Sequence, residues 1–332
     1  GYCVHYDILG LAYWMLSRQE EVGRTDLDEH DRFPAKASHG MKHGYLERPI
    51  VDEWFHVLGQ VITKTWPVLV LTRHNFTIKL SHDVDSPSRY GFRTWRGVAR
   101  AVGGDLFRRR KPKDALLAPW IRVRSSTRLH PQDPYNTFDW LMDVSEQKGL
   151  VSAFYFICGR SSDSDADYEL EHPAIRNLMR RIHARGHEIG LHPSYGSYKK
   201  PEIIAAEAKR LRRVTQQEGI TQSQWGGRMH YLRWEQPTTL RAWADAGMDY
   251  DSTLGYADRP GCERTADQCA QTRLQGTRGR HDNTPQRGRW RRMPHHHRRR
   301  RSWSAGRRDM AETRQARRPH RSLLDRERQG AI

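Results

Sequence analysis

The chain has 332 residues, a length that fits one large domain or two modest ones, and a formal net charge of +18. A charge of this size ordinarily indicates nucleic acid or an anionic surface as the partner. The excess is confined to one end, however, because residues 261–332 hold 20 Arg, no Lys and 7 acidic residues, a net charge of +13. Residues 1–260 carry only +5, so the composition of the main body argues against a nucleic-acid partner.

Cysteine usage and hydropathy exclude two further classes. The four cysteines show no short repeated spacing, so neither a disulfide framework nor a zinc ribbon is indicated. The chain has no run of about 18 apolar residues, and we expect no membrane span. It begins with Gly1 rather than Met, which indicates that the natural start is missing. A signal peptide therefore cannot be judged, and the expected compartment is either cytoplasmic or unknown.

Residues 1–75 are predicted to form a small, mostly helical N-terminal region. The stretch YDILGLAYWMLSRQEE has apolar residues at helical spacing. These residues are Ile8, Leu11, Ala12 and Met15. A polar loop follows over residues 23–48, and Pro49 is well placed to begin a second helix.

From Phe76 onward the pattern predicts strands that alternate with helices. FTIKLSHD is apolar at alternate positions, as in a barrel strand with one face toward helices and the other toward an interior. The basic segment 88–130 is interpreted as an insertion with some helix. LVSAFYFICG is apolar on both faces, as a buried parallel strand should be. Three later helices are each predicted to begin at a proline and end at a glycine: Pro173 and Gly186, Pro201 and Gly219, Pro237 and Gly247. This alternation predicts an α/β fold with parallel strands.

The α/β pattern stops after Gly261. Residues 261–332 contain no Val, Phe or Tyr, and so apolar-poor a segment cannot offset the entropy of ordering itself. We predict that residues 262–332 are either a disordered Arg-rich tail or an out-of-frame reading of GC-rich DNA. Arg without any Lys and the abrupt change in composition favour the second. An evolved nucleic-acid-binding arm is a further alternative.

Three polar clusters follow predicted strands: SHDVD, GHEIGLHPSY and GGRMHYLRW. Asp83 and Asp85 are two residues apart and lie on the same side of an extended chain. Paired carboxylates are unfavourable unless a metal, a proton or a cation separates them. With His192 from another strand end, they supply the oxygen and nitrogen ligands that suit Zn²⁺ or a similar divalent ion with an open position for water. His187, at the start of its strand, is interpreted as structural.

These motifs, together with AGMDYDSTLGYADRPG, resemble the polysaccharide deacetylase (NodB-homology, carbohydrate esterase type) superfamily. They are most similar to its bacterial branch with an HDVD first motif and an extra N-terminal region, which DILGLAYWMLSRQEE and RFPAKASHGMKHGYLERPIVDEW match. The resemblance covers residues 76–261 of the barrel domain. It implies a distorted (β/α) barrel that is truncated at its C-terminal end, and metal-dependent hydrolysis of N-acetyl groups on a polysaccharide or oligosaccharide.

The resemblance also implies roles for individual residues. Asp83 would be the general base, Asp85 and His192 would bind the metal, and Arg228 would orient the base. The family's second metal histidine falls at Gly196 in this sequence, which is a departure from the pattern.

His230 stands where the third motif usually has proline, and it is the candidate to supply the missing nitrogen. Tyr195, Tyr231 and Trp234 are candidate substrate-binding residues; core packing is the alternative for the last two.

In the implied mechanism the ion polarises the amide carbonyl and lowers the pKa of its bound water, whose proton Asp83 accepts. A histidine from a late motif then protonates the leaving amine, and nothing after Gly261 resembles that motif. We therefore expect this chain to fold poorly and to be inactive or impaired. Two alternatives stay open: a degenerate member that binds glycan without cleaving it, and a nucleic-acid-binding protein that acts through the Arg-rich tail.

Overall fold

The computed structural model describes residues 3–72 and 77–258 and, beyond them, only a short strand at 272–273. The rest of the predicted tail at 262–332 lies outside the described residues. The described chain is a mixed α/β protein, as expected. Its helices are α1 (Ile8–Leu16), α2 (His39–Lys42), α3 (Ile50–Thr65), α4 (Trp95–Gly103), α5 (Pro112–Arg124), α6 (Phe138–Gln147), α7 (Pro173–Ala184), α8 (Pro201–Gln217) and α9 (Thr238–Asp245). Its strands are β1 (Leu80–Val84), β2 (Ser152–Ile157), β3 (Glu188–His192), β4 (Gly226–Gly227), β5 (Tyr250–Asp251) and β6 (Thr272–Arg273).

The strands form one sheet in the order β1-β2-β3-β4-β5-β6. The first five are parallel, and β6 runs antiparallel to β5. Parallel neighbours in chain order, joined by helices, place all their carboxyl ends at one edge of the sheet. The prediction of an α/β fold with parallel strands is confirmed. Among the described residues β1 pairs with β2 alone, so closure into a barrel stays a prediction, as does the division into domains at residues 75 and 261.

Local sequence signals explain where the helices begin and end. α7 and α8 have proline at their first position, where its missing N–H costs no helical hydrogen bond. The glycines just beyond α7, α8 and α9 adopt left-handed backbone conformations that other residues rarely accept. These glycines are Gly186, Gly219 and Gly247. The predicted boundaries therefore hold within a few residues.

The start of the first strand differs from the prediction. β1 begins at Leu80, not Phe76, because Leu80 pairs with Ser152, the first residue of β2, and earlier residues have no partner there. Ile78, expected on the buried face, is 48% exposed. Phe76 itself lies outside the described residues.

The main core lies between the sheet and its helices. All six residues of β2 are buried, and α7 contributes Ile175, Leu178 and Ile182 from one stripe. In the N-terminal region Ile8, Ala12 and Met15 are buried along α1, as its spacing predicts. In the described residues, no helix is both long and apolar enough to cross a membrane.

The opposite face of the sheet is filled by two buried tyrosines that require neighbouring glycines. A Cβ on Gly190 would lie 2.5 Å from the ring of Tyr155 and 2.5 Å from the carbonyl oxygen of Gly226. A Cβ on Gly226 would lie 2.1 Å from the ring of Tyr250. Both tyrosines are almost fully buried, so these glycines make the space that the rings occupy.

Candidate metal centre

Three neighbouring segments bring an acid and two histidines together at the carboxyl edge of the sheet. Asp85 directly follows β1, His192 is the last residue of β3, and His230 lies three residues beyond β4. One donor atom from each falls within 4.8 Å of the others, so Asp85, His192 and His230 could hold a metal ion. Asp85 and His192, which the sequence analysis pairs as ligands, thus lie close enough to share an ion, and their role as ligands stays a prediction.

The donor atoms are close to one another. His192 Nε2 lies 3.3 Å from Asp85 Oδ1 and 2.9 Å from His230 Nδ1. His230 Nδ1 lies 3.8 Å from the same carboxylate oxygen. Both histidines are buried, whereas the Asp85 side chain is half exposed. The cluster is thus open to solvent on the side of its carboxylate.

Backbone carbonyls fix the orientation of both imidazole rings. His192 Nδ1 donates to the carbonyl of Arg228 over 2.6 Å, and His230 Nε2 donates to the carbonyl of Ser164 over 3.0 Å. A neutral imidazole carries one N–H, so these bonds leave His192 Nε2 and His230 Nδ1 as lone-pair nitrogens. Two such nitrogens 2.9 Å apart repel each other unless a proton or a cation lies between them.

The protonation preferences of the cluster suit a cation better than a proton. Burial lowers the pKa of His230, and the neighbouring His192 lowers it further. Burial would raise the pKa of Asp85, but the positive charge that His192 or His230 carries when protonated outweighs burial and holds that pKa below its ordinary value. An ionised carboxylate beside a neutral imidazole is the form in which both bind metal.

The second predicted aspartate faces an arginine instead of the cluster. Arg228 Nη1 donates to Asp83 Oδ1 over 3.0 Å. The same guanidinium donates to Ser81 Oγ and to the carbonyl of Ser252. Three acceptors, two on β1 and one just beyond β5, therefore fix the Arg228 side chain, which in turn holds the Asp83 carboxylate.

His82 of the HDVD motif faces away from the cluster. Alternation along β1 puts it on the opposite face from Asp83, where its ring packs on Phe154 and Nε2 lies 3.3 Å from Ser152 Oγ. His187 lies at the other end of β3, as the sequence indicates, and accepts the backbone N–H of Ser152.

The three candidate substrate aromatics occupy different environments. Tyr231 is 37% exposed, and its ring meets those of His230 and Tyr195 edge-on at 4.8 and 5.2 Å. Trp234 is only 8% exposed and packs in the main core. Tyr231, and through it Tyr195, thus borders the candidate metal centre. Trp234 has no contact with Asp85, His192 or His230 among those described here, and its role in substrate binding stays a prediction.

Gly196 stands at the position where the resemblance would place a second metal histidine, and it has no side chain to offer. Gly196 donates its N–H to Ser161 Oγ, and a Cβ there would lie 3.1 Å from the same oxygen. Asp165 organises this loop by accepting the N–H groups of Ser161, Ser162 and Tyr195. The loop carries the Ser164 carbonyl that orients His230. Apart from the turn-forming composition of SSDSD, no local pattern in the sequence indicates this support.

The N-terminal region also reaches the site, which sequence reasoning missed. His30 Nδ1 and the Tyr195 hydroxyl share a hydrogen bond of 3.0 Å, and the His30 ring lies 4.7 Å from that of Tyr231. Arg233 bonds to the His30 carbonyl and to Asp31. These contacts join residues more than 160 positions apart and leave no local pattern that a reader of the sequence could recognise.

The fold and the cluster together define an α/β protein with a candidate metal centre at the carboxyl edge of its sheet. Among known proteins, residues 1–67 match the model of a family of unknown function, DUF7033. No curated protein and no solved structure matches the chain. The matched residues include the segment that carries His30.

Proposed function

We propose that this chain has the metal site of a polysaccharide deacetylase and is a zinc-dependent hydrolase of N-acetyl groups on a polysaccharide, built on a distorted (β/α) barrel. The pair of lone-pair nitrogens on His192 and His230, with the Asp85 carboxylate beside them, carries the proposal. Donor atoms on one tetrahedral Zn²⁺ lie about 3.3 Å apart, since each is about 2.0–2.1 Å from the ion. The three separations here, 2.9, 3.3 and 3.8 Å, bracket that value.

Two histidines and one carboxylate leave a fourth position for water, as catalytic zinc sites require. The bound ion would supply a polarised amide carbonyl and a water of lowered pKa. Asp83 would accept a proton from that water, and Arg228 would keep its carboxylate in position through the 3.0 Å contact. Tyr195 and Tyr231 would contact the sugar.

The arrangement favours a hydrolase over a glycan-binding protein without a catalytic centre. The latter alternative relied on Gly196 at the position of the second histidine. His230 would supply a nitrogen from a different loop, and Arg228 orients the Asp83 carboxylate that hydrolysis would need as its base. The late histidine that would protonate the leaving amine has no match, so the proposal includes slow turnover. A nucleic-acid function would depend on residues 262–332, which lie outside the described range apart from one strand.

Zinc titration of the full chain tests the proposal. We expect one Zn²⁺ per chain, with loss of binding in Asp85→Ala and in His192→Ala. Asp83→Asn should retain zinc and abolish whatever release of acetate from N-acetylglucosamine oligomers the wild-type chain shows. Unchanged zinc affinity in both ligand variants would overturn the metal site, and Asp83-independent release of acetate would overturn the role of the base.

A further inference from the structure

The segment from Asp28 to Arg32 forms a tight turn, and hydrogen bonds hold this turn beside the candidate metal centre. Asp28 Oδ1 accepts the backbone N–H groups of His30 and Arg32 over 2.9 Å each, and Arg32 Nε donates to Asp28 Oδ2. Asp31 has a left-handed backbone conformation with φ of 57°. The turn therefore presents His30 and Asp31 at its tip in one defined conformation.

Arg233 holds this turn against the loop beyond β3. Its guanidinium donates to the His30 carbonyl over 2.9 Å, to Asp31 over 2.7 Å and to the Tyr195 carbonyl over 2.7 Å. It also lies 4.0 Å from the ring centres of both Tyr195 and Tyr198. Arg233 is buried, so its hydrogen bonds and ion pair are shielded from water, unlike those of an exposed surface ion pair.

The turn also supports an unusual backbone next to the metal candidate. Tyr231 has φ of 58°, which non-glycine residues rarely adopt, and Arg32 donates to its carbonyl over 3.0 Å. Residues held in such conformations cluster at functional sites. The strained backbone keeps Tyr231 between His30 and His230, with ring-centre distances of 4.7 and 4.8 Å.

We propose that the turn at residues 28–32 builds one wall of the substrate cleft and that His30 hydrogen-bonds an N-acetylated sugar, while Tyr231 contacts the sugar ring. This inference rests on the proposed function and deepens it. His30 is suited to the task because Nδ1 is bonded to Tyr195, whereas Nε2 lies near only the exposed carboxylate of Glu29, at 3.8 Å, among the described residues. In this chain the DUF7033-matching region would thus be part of the substrate site.

The test uses the zinc-loaded full chain, with chitotetraose as the probe and calorimetry as the readout. We expect His30→Ala to weaken chitotetraose binding about 10-fold, the loss of one hydrogen bond in a formed site. Zinc affinity should be unchanged. His30→Gln should recover part of the loss because its amide can still bond. His56→Ala is the matched control, since His56 is an exposed histidine of the same region.

The outcomes separate this inference from the function on which it rests. Wild-type affinity for chitotetraose in His30→Ala would overturn the role of His30 while leaving the metal site standing. If zinc-loaded wild-type protein bound no chitotetraose, the proposal that the turn at residues 28–32 lines the substrate cleft would also be overturned. Failure to bind zinc at all would instead overturn the proposed function.

A second surface, unrelated to the metal candidate, lies on the insertion that carries α4 and α5. The inner stripe of α5 is Ala115, Ala118 and Ile121, which are buried, the latter two in a small core with α4. The outer stripe is Leu116, Trp120 and Val123, at helical spacing and exposed. Phe107, just before α5, is 86% exposed. A surface helix that is apolar on its outer side indicates a covering partner.

The charge around this stripe identifies the kind of partner. Residues 95–128 hold ten basic residues and two acidic ones, a net charge of +8, and one of the acids, Asp105, is buried against Arg89. Arg124 stacks over the Trp120 ring at 4.4 Å. Basic residues beside exposed Trp, Phe and Leu are the pattern of helices that lie in the interface of an anionic membrane. A second copy of this positively charged face would be repelled.

The geometry points to residues 104–124 as a docking surface for an anionic lipid bilayer. Hydrogen exchange of the full chain tests it locally, so that binding through other basic segments does not interfere. With vesicles of phosphatidylcholine and phosphatidylglycerol, amides of residues 104–124 should exchange at least about 10-fold more slowly; with phosphatidylcholine alone they should not. Leu116→Ser with Trp120→Ser should remove the protection, and Trp140→Ser, an exposed tryptophan of α6, should not.

Two results would overturn the lipid assignment. One is unchanged exchange of residues 104–124 with anionic vesicles. The other is equal protection by a DNA duplex or by an acidic polysaccharide, because a soluble polyanion has no apolar interior to cover Phe107 and Leu116.

Discussion

His192 Nε2 and His230 Nδ1 lie 2.9 Å apart although each ring has committed its N–H to a backbone carbonyl on its other side. The two carbonyls belong to Arg228 and Ser164, which lie in different loops. The fold thus holds two lone pairs face to face, an arrangement that a bound cation stabilises and an empty site leaves repulsive.

The first prediction concerns the role of His230 as the second nitrogen ligand. We expect His230→Ala to lower zinc affinity by a factor of about 100 or more, because a ligand contributes more than the 10–100-fold typical of an orienting residue. Competition with a chelating dye measures the effect. His43→Ala, an exposed histidine elsewhere in the chain, is the control. Equal zinc affinity in His230→Ala and the wild type would remove His230 from the site.

The second prediction concerns the loop that orients His230. Asp165 accepts three backbone N–H groups around Ser164, so Asp165→Ala should misplace the Ser164 carbonyl. Zinc affinity should fall by about 10–100-fold although no ligand is removed. Asp163→Ala, two residues away in the same loop, provides the comparison. A fall of the same size in both variants would mean that the loop as a whole, and not Asp165, supports the ring.

The third prediction uses the glycines behind the buried tyrosines. Gly190→Ala should lower the free energy of unfolding by about 1–3 kcal/mol, because the added Cβ has no space beside Tyr155 and Gly226. Gly103→Ala in α4 should raise it by about 0.5–1 kcal/mol, since the space there is open and alanine favours the helix. Urea denaturation measures both. Stabilisation by Gly190→Ala would contradict the packing of the sheet face.

The fourth prediction concerns the pH dependence of stability. Burial raises the pKa of Glu207 to about 7, although hydrogen bonds from Ser194 oppose the shift. The folded state therefore holds this proton more tightly than the unfolded state, and unfolding releases it. Stability should fall as the pH rises from about 4.5 to about 7, by up to about 3 kcal/mol from this group.

Glu207→Gln tests that assignment because the amide cannot ionise. Its free energy of unfolding should lose less between pH 5 and pH 8, on the order of 1–3 kcal/mol less, than that of the wild type. Glu202→Gln, an exposed position on the same helix, should follow the wild-type pH profile. Parallel profiles for Glu207→Gln and the wild type would refute the raised pKa.

The parts of the fold that the sequence predicts are those with local causes. Proline at Pro173 and glycine at Gly186 delimit α7 because each restricts or frees its own backbone. His192 could be assigned to the site because it ends a strand and precedes a proline. Leu80 shows the limit: the start of β1 depends on its pairing with β2, which a single strand does not encode.

The parts of the site that the sequence leaves open depend on contacts between distant segments. The lone-pair orientation of His230 follows from the Ser164 carbonyl, 66 residues away. His30 and Tyr195 are 165 residues apart, and no motif around either residue indicates that it contacts the other. The spacing predicts which residue types meet at one edge of the sheet, but their hydrogen-bond partners decide which nitrogen each ring presents.

The hydrogen bonds that Arg233 makes to His30 and Asp31 have a consequence for folding during synthesis. Its contacts to His30 and Asp31 join positions 203 and 202 residues apart, so the segment at residues 28–32 is synthesised well before Arg233 and cannot dock until Arg233 has been made. Until then the turn at residues 28–32 has no anchor, and Arg233, once made, is buried only when that early segment returns to it. A circularly permuted chain that begins within residues 195–233 would reverse this order of assembly.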